Sequence, residues 1–499
     1  MSNAYIKRLA LFSCLLLAAI ACGCNSESTT ANAEDAPVKL DAQSVQIAAA
    51  LQDDKKQSEE MLTDISKRKV GTDWPHFLGV NRDSKSTETG ILTEWPNKGL
   101  KVIWEMELGP SYGIGSIAKG RYYQFDRVDD EEVLYCLNAE TGKVLWKESY
   151  EEQYTDLYGY DSGPRCSPII DGNRVYTLGV AGKLRCYNAT DGELIWHRDT
   201  TKEFGVIQNF FGVGSTPAIE GDLLIAMIGG SPAADASLPP GALDQVSGDG
   251  SGIVAFDKFS GEIKYKISDE LASYASIQLA TIDDQRWGFS FSRGGLIGFS
   301  PTSGKVHFQF PWRARTLESV NASTPVVIKN QIFISETYGP GSTLLSVKDN
   351  KYEIDWQDID RTRDKIMQTH WNTTVHVDGY LYGCSGRHTQ NAELRCVELA
   401  TGNVMWSVPD LTRCSLTYVD GHFVVLGEYG HMFMFKPNPK EFVPVTGDAV
   451  KQGDDVLLPL RPTHDLRYPC WAAPVISHGL MYVRGKGSVM CLELIPEKG

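Results

Sequence analysis

From about residue 100 onward, apolar residues fall in short runs rather than at helical spacing. The pattern is clearest where Asp171-Gly172-Asn173-Arg174-Val175-Tyr176 is followed by Gly182-Lys183-Leu184-Arg185-Cys186-Tyr187. Asp191-Gly192-Glu193-Leu194-Ile195-Trp196 comes next. Each run is rich in β-branched or aromatic residues and has Gly or Asp at its joins, which predicts a strand. The gaps between runs are hairpin-sized.

A second register runs through the same region. Gly142, Gly192, Gly261, Gly304 and Gly402 each follow Thr, Asp or Ser. Four residues later stand Trp146, Trp196, Tyr265, Phe308 and Trp406. A tight hairpin needs a residue at positive φ, which Gly adopts without steric cost. The aromatic then falls on the following strand, where it can cover the gap between adjoining sheets.

First-strand turns fall near residues 120, 172, 221, 284, 330, 379, 421 and 479. Four strands per unit at this spacing predict an all-β, eight-bladed β-propeller. The longest gap is accounted for by a Gly/Pro/Ala-rich insertion at 229–251. The last unit lacks an outer strand after Val489-Met490-Cys491-Leu492. Lys101-Val102-Ile103-Trp104-Glu105-Met106-Glu107 matches the missing strand, so residues 101–107 are expected to complete the eighth blade.

The N-terminal region has another character. Lys7 and Arg8 precede an apolar run, Leu9 to Ala21, which is too short to span a bilayer. Residues 1–24 therefore predict export. Cys22 and Cys24 each follow small residues, as at a bacterial lipid-attachment site, and either could carry the lipid; a plain cleaved signal is the other reading. Residues 25–73 read as a tether and helix: a polar tether over 25–38, then a short helix over 40–68 on the stripe Val45, Ile47, Ala48, Leu51, Met61, Leu62 and Ile65. Residues 74–499 form the propeller. The net charge of −15 on 499 residues argues against a nucleic-acid partner, though not against a small basic patch.

These repeats resemble the PQQ-like propeller repeats of quinoprotein dehydrogenases and of the outer-membrane-assembly lipoprotein. The resemblance covers roughly residues 74–495. Trp74-Pro75-His76-Phe77-Leu78-Gly79-Val80-Asn81-Arg82-Asp83, with Leu92-Thr93-Glu94-Trp95-Pro96, is similar to the opening segment of PQQ-like envelope proteins of planctomycete-type bacteria. One fold hosts many functions, so the repeat implies a fold rather than an activity.

Candidate chemistry is sparse. Cys136, Cys186 and Cys396 lie six residues before a hairpin Gly, in the register that holds Ala255 and Gly298 elsewhere. They are expected to be packing residues. Cys384 and Cys396, on consecutive strands, are the one pair spaced for a disulfide. The histidines form no HExxH and no zinc-finger pairing. Asp126-Arg127-Val128-Asp129-Asp130-Glu131-Glu132 reads as a solvated loop. Asp244 and Asp249 in the insertion suggest either a flexible loop or a Ca²⁺ loop. No G-x-S-x-G elbow is present.

A tri-carboxylated quinone needs cations and a flat aromatic. Repeat phase places Arg165, Asn321, His370, Trp371, Arg413, Arg467 and Trp471 at the channel. The resemblance implies PQQ with Ca²⁺ as a possible cofactor, yet the adjacent cysteines typical of quinoprotein alcohol dehydrogenases are missing from the mature chain. Two readings follow. One is a lipid-anchored scaffold in the periplasm or envelope that binds envelope proteins or polymers. The other is a PQQ-dependent oxidoreductase of an alcohol or sugar. A propeller that senses or binds a carbohydrate through an aromatic channel mouth is a third.

Overall fold

The computed structural model describes residues 61–358, 364–448, 450–452, 455–457 and 463–497. Eight four-stranded antiparallel sheets form the ring. Blade 1 spans 116–151, blade 2 169–199, blade 3 218–267 and blade 4 278–311. Blade 5 spans 326–357, blade 6 375–409 and blade 7 414–447. Blade 8 takes three strands from 475–493 and its outer strand, Val102–Glu107, from the other end of the chain. That strand pairs Trp104 with Cys491 and Glu107 with Ser488. All eight expected turns are present, and the ring closes as expected.

The aromatic register explains how neighbouring blades lock. Each hairpin glycine has positive φ, from 68° at Gly142 to 84° at Gly192. The outer-strand aromatic of one blade lies over the hairpin glycine of the next. A Cβ on Gly142 would meet the Trp104 ring at 2.8 Å, and one on Gly192 would meet Trp146 at 2.7 Å. The indole N–H then donates to a carbonyl beside that glycine. Trp104 reaches Ala139 O at 2.8 Å, Trp146 reaches Ala189 O at 3.2 Å and Trp196 reaches Lys258 O at 3.0 Å. Tyr265 does the same with its hydroxyl, to Pro301 O at 2.7 Å. Trp356 also obeys the rule, donating to Leu399 O at 2.8 Å. Its own hairpin uses Asp349 and Asn350 at positive φ instead of Gly, which hid it from the sequence pattern.

The cysteines in this register are buried packing residues. Cys136 pairs across the ladder with Trp146, Cys186 with Trp196 and Cys396 with Trp406. Ala255 and Gly298 stand opposite Tyr265 and Phe308 in the same way. A small side chain leaves room for the ring on the next strand. Cys384 and Cys396, the pair spaced for a disulfide, do not form one. The register sets Cys384 opposite Leu394 and Cys396 opposite Tyr382, and both thiols are free.

Two other expectations are corrected. Residues 126–132 are not a solvated loop: they belong to the hairpin Arg121–Val128 and Glu131–Asn138, with Asp126, Arg127 and Glu132 buried. Asp126 accepts from Gly109 N at 2.7 Å, and Glu132 accepts from Val180 N at 2.8 Å and from the Tyr150 hydroxyl. Of the helix expected over 40–68, residues 61–68 run as irregular chain. Leu62 packs instead against Phe125 and Tyr123 of blade 1. The remainder of that helix, the tether, the export segment, Cys22 and Cys24 lie outside the described residues.

Residues 72–86 cross the channel and close one end of it. Trp74 pairs with Ile117 of blade 1, and Pro75 O accepts from Ile170 N of blade 2 at 3.0 Å. Asn81 O accepts from the Gln278 amide of blade 4 at 3.3 Å. Ser84 Oγ donates to Leu416 O of blade 7 at 2.6 Å, and Thr72 O accepts from Ser477 Oγ of blade 8 at 2.8 Å. Leu78, Arg82 and Ser84 hold positive φ here, conformations kept only where the surroundings over-determine them.

Candidate functional site at the channel mouth

With one end closed, the channel becomes a blind cavity of about 630 Å³, within the usual range for small-molecule sites. Phe77 and Leu78 of the crossing segment line it from inside the channel. The walls come from loops that precede inner strands. Tyr158 and Tyr160 precede blade 2, Phe210 and Phe211 precede blade 3, and Tyr468 and Trp471 precede blade 8. Tyr158, Tyr160 and Tyr468 are 51%, 58% and 43% exposed, so the apolar lining continues to the solvent edge. Tyr112, Trp471 and Trp371 form a run of neighbouring rings, with successive centroids 4.7 Å apart.

Five of the seven residues placed at the channel by repeat phase line this cavity: Arg165, His370, Trp371, Arg413 and Trp471. Two do not. Asn321 is buried behind the wall, where its amide donates to Ser292 O at 2.7 Å and Trp312 O at 3.2 Å. Arg467 is exposed and outside the cavity lining.

Two arginines at the mouth are neutralised in place, while the exposed Glu318 carboxylate also lines the cavity. Arg413 grips the fully buried Glu428 through Nε at 3.0 Å and Nη2 at 2.6 Å. Its guanidinium also lies 4.3 Å from the Trp371 ring centre. Arg165 pairs with Asp156 at 2.8 Å and donates to Asp161 O at 2.9 Å. Burial, then the Arg413 and Arg387 charges, push His370 down to about 3, so its ring is neutral near pH 7. Arg387 and Tyr338 complete the rim. The sequence pattern did not mark them, because both lie in loops just beyond second strands, outside the repeat phase used. Arg387 sits 4.2 Å over the Tyr338 ring and has no carboxylate partner among the described residues.

The insertion braces this wall. Leu243 packs with Phe210 and Val320. Asp244 pairs with Arg293 at 2.9 Å and Arg313 at 2.6 Å, while Asp249 accepts from Ser251 N at 3.0 Å. These carboxylates are therefore committed to protein donors instead of forming a Ca²⁺ loop. Among the described residues, no three His, Cys, Asp or Glu side chains cluster as a metal site.

A tri-carboxylated quinone with its metal asks for several cations and a set of carboxylates. Two of the mouth arginines already hold carboxylates, and one has no carboxylate partner among the described residues. The donor set does not fit that cofactor well, although the flat Trp371 and Trp471 faces suit a planar ligand.

A ring of four-stranded blades closed by an N-terminal strand, with its open cavity at one mouth, defines an eight-bladed β-propeller of the PQQ-like repeat class. The chain belongs to the family described as outer membrane protein assembly factor BamB, whose profile matches residues 96–236 and 241–408. Among solved structures, BamB from Moraxella catarrhalis is similar in fold, with a TM-score of 0.52 and 12% identity over 80% of this chain and 99% of that one. Quinohemoprotein alcohol dehydrogenase from Comamonas testosteroni aligns with a TM-score of 0.44 and 14% identity, over 86% of this chain and 82% of that one. The quinoprotein alcohol dehydrogenase PedH of Pseudomonas putida is 34% identical over 71 residues. That match spans 14% of this chain and only 12% of the dehydrogenase.

Proposed function

We propose that this chain is an exported, lipid-tethered binding propeller of the cell envelope that holds a ligand or partner at its channel mouth without chemical turnover. One observation carries the reading: an aromatic cavity runs out to the solvent edge while the charged groups expected to do chemistry are tied to one another. Arg413 is held by Glu428, Arg165 by Asp156, and His370 is neutral. Export and the anchor on Cys22 or Cys24 rest on residues 1–24. No helix among the described residues is long and apolar enough to cross a membrane.

The test is capture of envelope partners by the full lipidated chain from detergent-solubilised membranes. Tyr158→Ala with Tyr160→Ala is expected to abolish capture, while Val404→Ala on an outer strand leaves it intact. Equal capture by both variants would place the binding face elsewhere.

The second reading, a PQQ-dependent oxidoreductase, is favoured by the Trp371–Trp471 faces and by the short match to PedH. It requires PQQ with Ca²⁺ to stabilise the chain by about 2.7 kcal/mol at 100-fold excess over Kd. An unchanged melting temperature at high micromolar PQQ removes it.

A further inference from the structure

One corner of the mouth holds donors that the protein does not use. The Tyr338 hydroxyl is 3.3 Å from His370 Nε2, and His370 Nδ1 is 3.5 Å from Arg413 Nη1. A guanidinium only donates. In the neutral imidazole, Nδ1 is therefore the acceptor and Nε2 carries the hydrogen, which points at the Tyr338 oxygen. The hydrogen on Tyr338 is left with no protein acceptor among the described residues. Burial raises the Tyr338 pKa, so that hydrogen stays in place at neutral pH.

Above the same ring lies the Arg387 guanidinium. It differs from Arg165 and Arg413 in having no ion pair among the described residues. Its backbone oxygen, by contrast, is used, accepting from Arg413 Nη1 at 3.1 Å. Alongside, the Trp371 ring centre lies 5.1 Å from that of His370 and 4.7 Å from that of Trp471, and the Trp471 indole N–H is buried with no partner among the described residues. One free cation and one free hydroxyl hydrogen, with flat aromatic faces next to them, describe a complementary ligand. It has a single anionic group attached to a planar body.

We propose that the mouth binds an aromatic carboxylate, its carboxylate held by the Arg387 guanidinium and the Tyr338 hydroxyl and its ring lying against Trp371 and Trp471. This rests on the mouth being the binding face. A bicyclic acid fits well within the 630 Å³. A ligand with three carboxylates would leave two of them unmatched, so the site selects a monoanion. A neutral aromatic forfeits the charge-assisted hydrogen bonds, which are about twice as strong as neutral ones.

The experiment is calorimetric titration of the full chain with 2-naphthoate and, separately, with its neutral amide. Naphthoate is expected to bind roughly tenfold or more tightly than the amide. Arg387→Ala should remove that preference, and Arg387→Lys should restore part of it. Tyr338→Phe should weaken naphthoate several-fold and leave the amide unchanged. Trp471→Ala should weaken both. Equal affinity of acid and amide for the unaltered chain overturns the anion corner but leaves the mouth as a binding face. So does a full preference in Arg387→Ala. Binding of neither probe at millimolar concentration, with partner capture still lost in the Tyr158/Tyr160 variant, overturns the ligand class alone. If capture also survives in that variant, the binding face itself has failed.

Discussion

The outer rim and the channel mouth are built from the same kinds of aromatic residue, used in opposite ways. On the rim, Trp104, Trp146, Trp196 and Trp356 each donate their indole N–H to the next blade. The arrangement repeats with the blades. At the mouth, the Trp471 N–H has no partner among the described residues, and its ring meets Tyr112 and Trp371 from other loops. Nothing there repeats. Periodic aromatics hold the ring together; of the aperiodic pair, Trp371 donates its indole N–H to Trp471 O at 3.0 Å, and Trp471 keeps an N–H with no partner among the described residues.

The largest test of that division compares two tryptophans. Trp104 is 8% exposed, packs on Tyr122 and Tyr482, and belongs to the strand that closes the ring. Trp104→Ala is expected to cost about 3–5 kcal/mol in denaturant unfolding. Trp471→Ala should cost under about 2 kcal/mol, because its cavity already admits water. Similar losses at both sites would mean that the mouth wall is structural too.

A parallel contrast applies to the arginines. Arg413→Ala strands the buried Glu428 charge and is expected to lose about 3–5 kcal/mol. Arg387→Ala, exposed and without an ion pair among the described residues, should change stability by no more than about 0.5 kcal/mol. A large loss in the Arg387 variant would show a structural role and weaken its assignment as a ligand donor.

Much of the rim was legible in the sequence, because its signal is local. A hairpin glycine, an aromatic four residues on and a small residue six before it all lie within one β-hairpin. The match of Val102-Ile103-Trp104 to Leu194-Ile195-Trp196 revealed the closing strand for the same reason. Trp356 escaped because Asn350 took the place of the glycine. The mouth was legible only in part. Repeat phase located Arg165 and Arg413, but their neutralising partners lie in loops that carry no repeat. Arg413 meets Glu428 fifteen residues away, across a hairpin. Arg387 and Tyr338 sit just after second strands, where repeat position says nothing about which way a loop will fold. The segment that closes the channel was recognised as an opening motif, but its path across several blades depends on contacts hundreds of residues apart.

The glycines give a smaller but more discriminating test of the rim. Gly192 has φ +84°, and an added Cβ would meet the Trp146 ring at 2.7 Å. Gly172 has φ +58° with nothing within 4 Å. Gly172→Ala carries the left-handed backbone cost alone, about 1 kcal/mol. Gly192→Ala adds displacement of the ring, for a total of about 2–4 kcal/mol. The difference between the two variants isolates the inter-blade contact. If both cost the same, the tryptophan yields freely and does not lock the blades.

The smallest effect separates the two ends of the channel by pH. At the mouth, His370 is held neutral and does not titrate near pH 7. At the closed end, His478 Nε2 lies 3.0 Å from Asp73 of the crossing segment, and its backbone N–H donates to Glu88. The hydrogen bond to Asp73 raises the His478 pKa against the opposing effect of burial, with the Asp73, Glu88 and Asp64 charges adding to it. A raised folded-state pKa means that the protonated pair stabilises the fold fully below the unfolded value, about 6.5. That contribution is lost as pH climbs through the raised folded value. His478→Gln should therefore be less stable than the unaltered chain at pH 6 and should approach it at pH 9. Proteolysis within residues 61–100 should follow the same trend, because these contacts hold the crossing segment. A stability gap that widens with pH would reverse the sign and exclude the His478–Asp73 pair as its source. A gap that also tracks naphthoate affinity would show that the two ends of the channel are coupled.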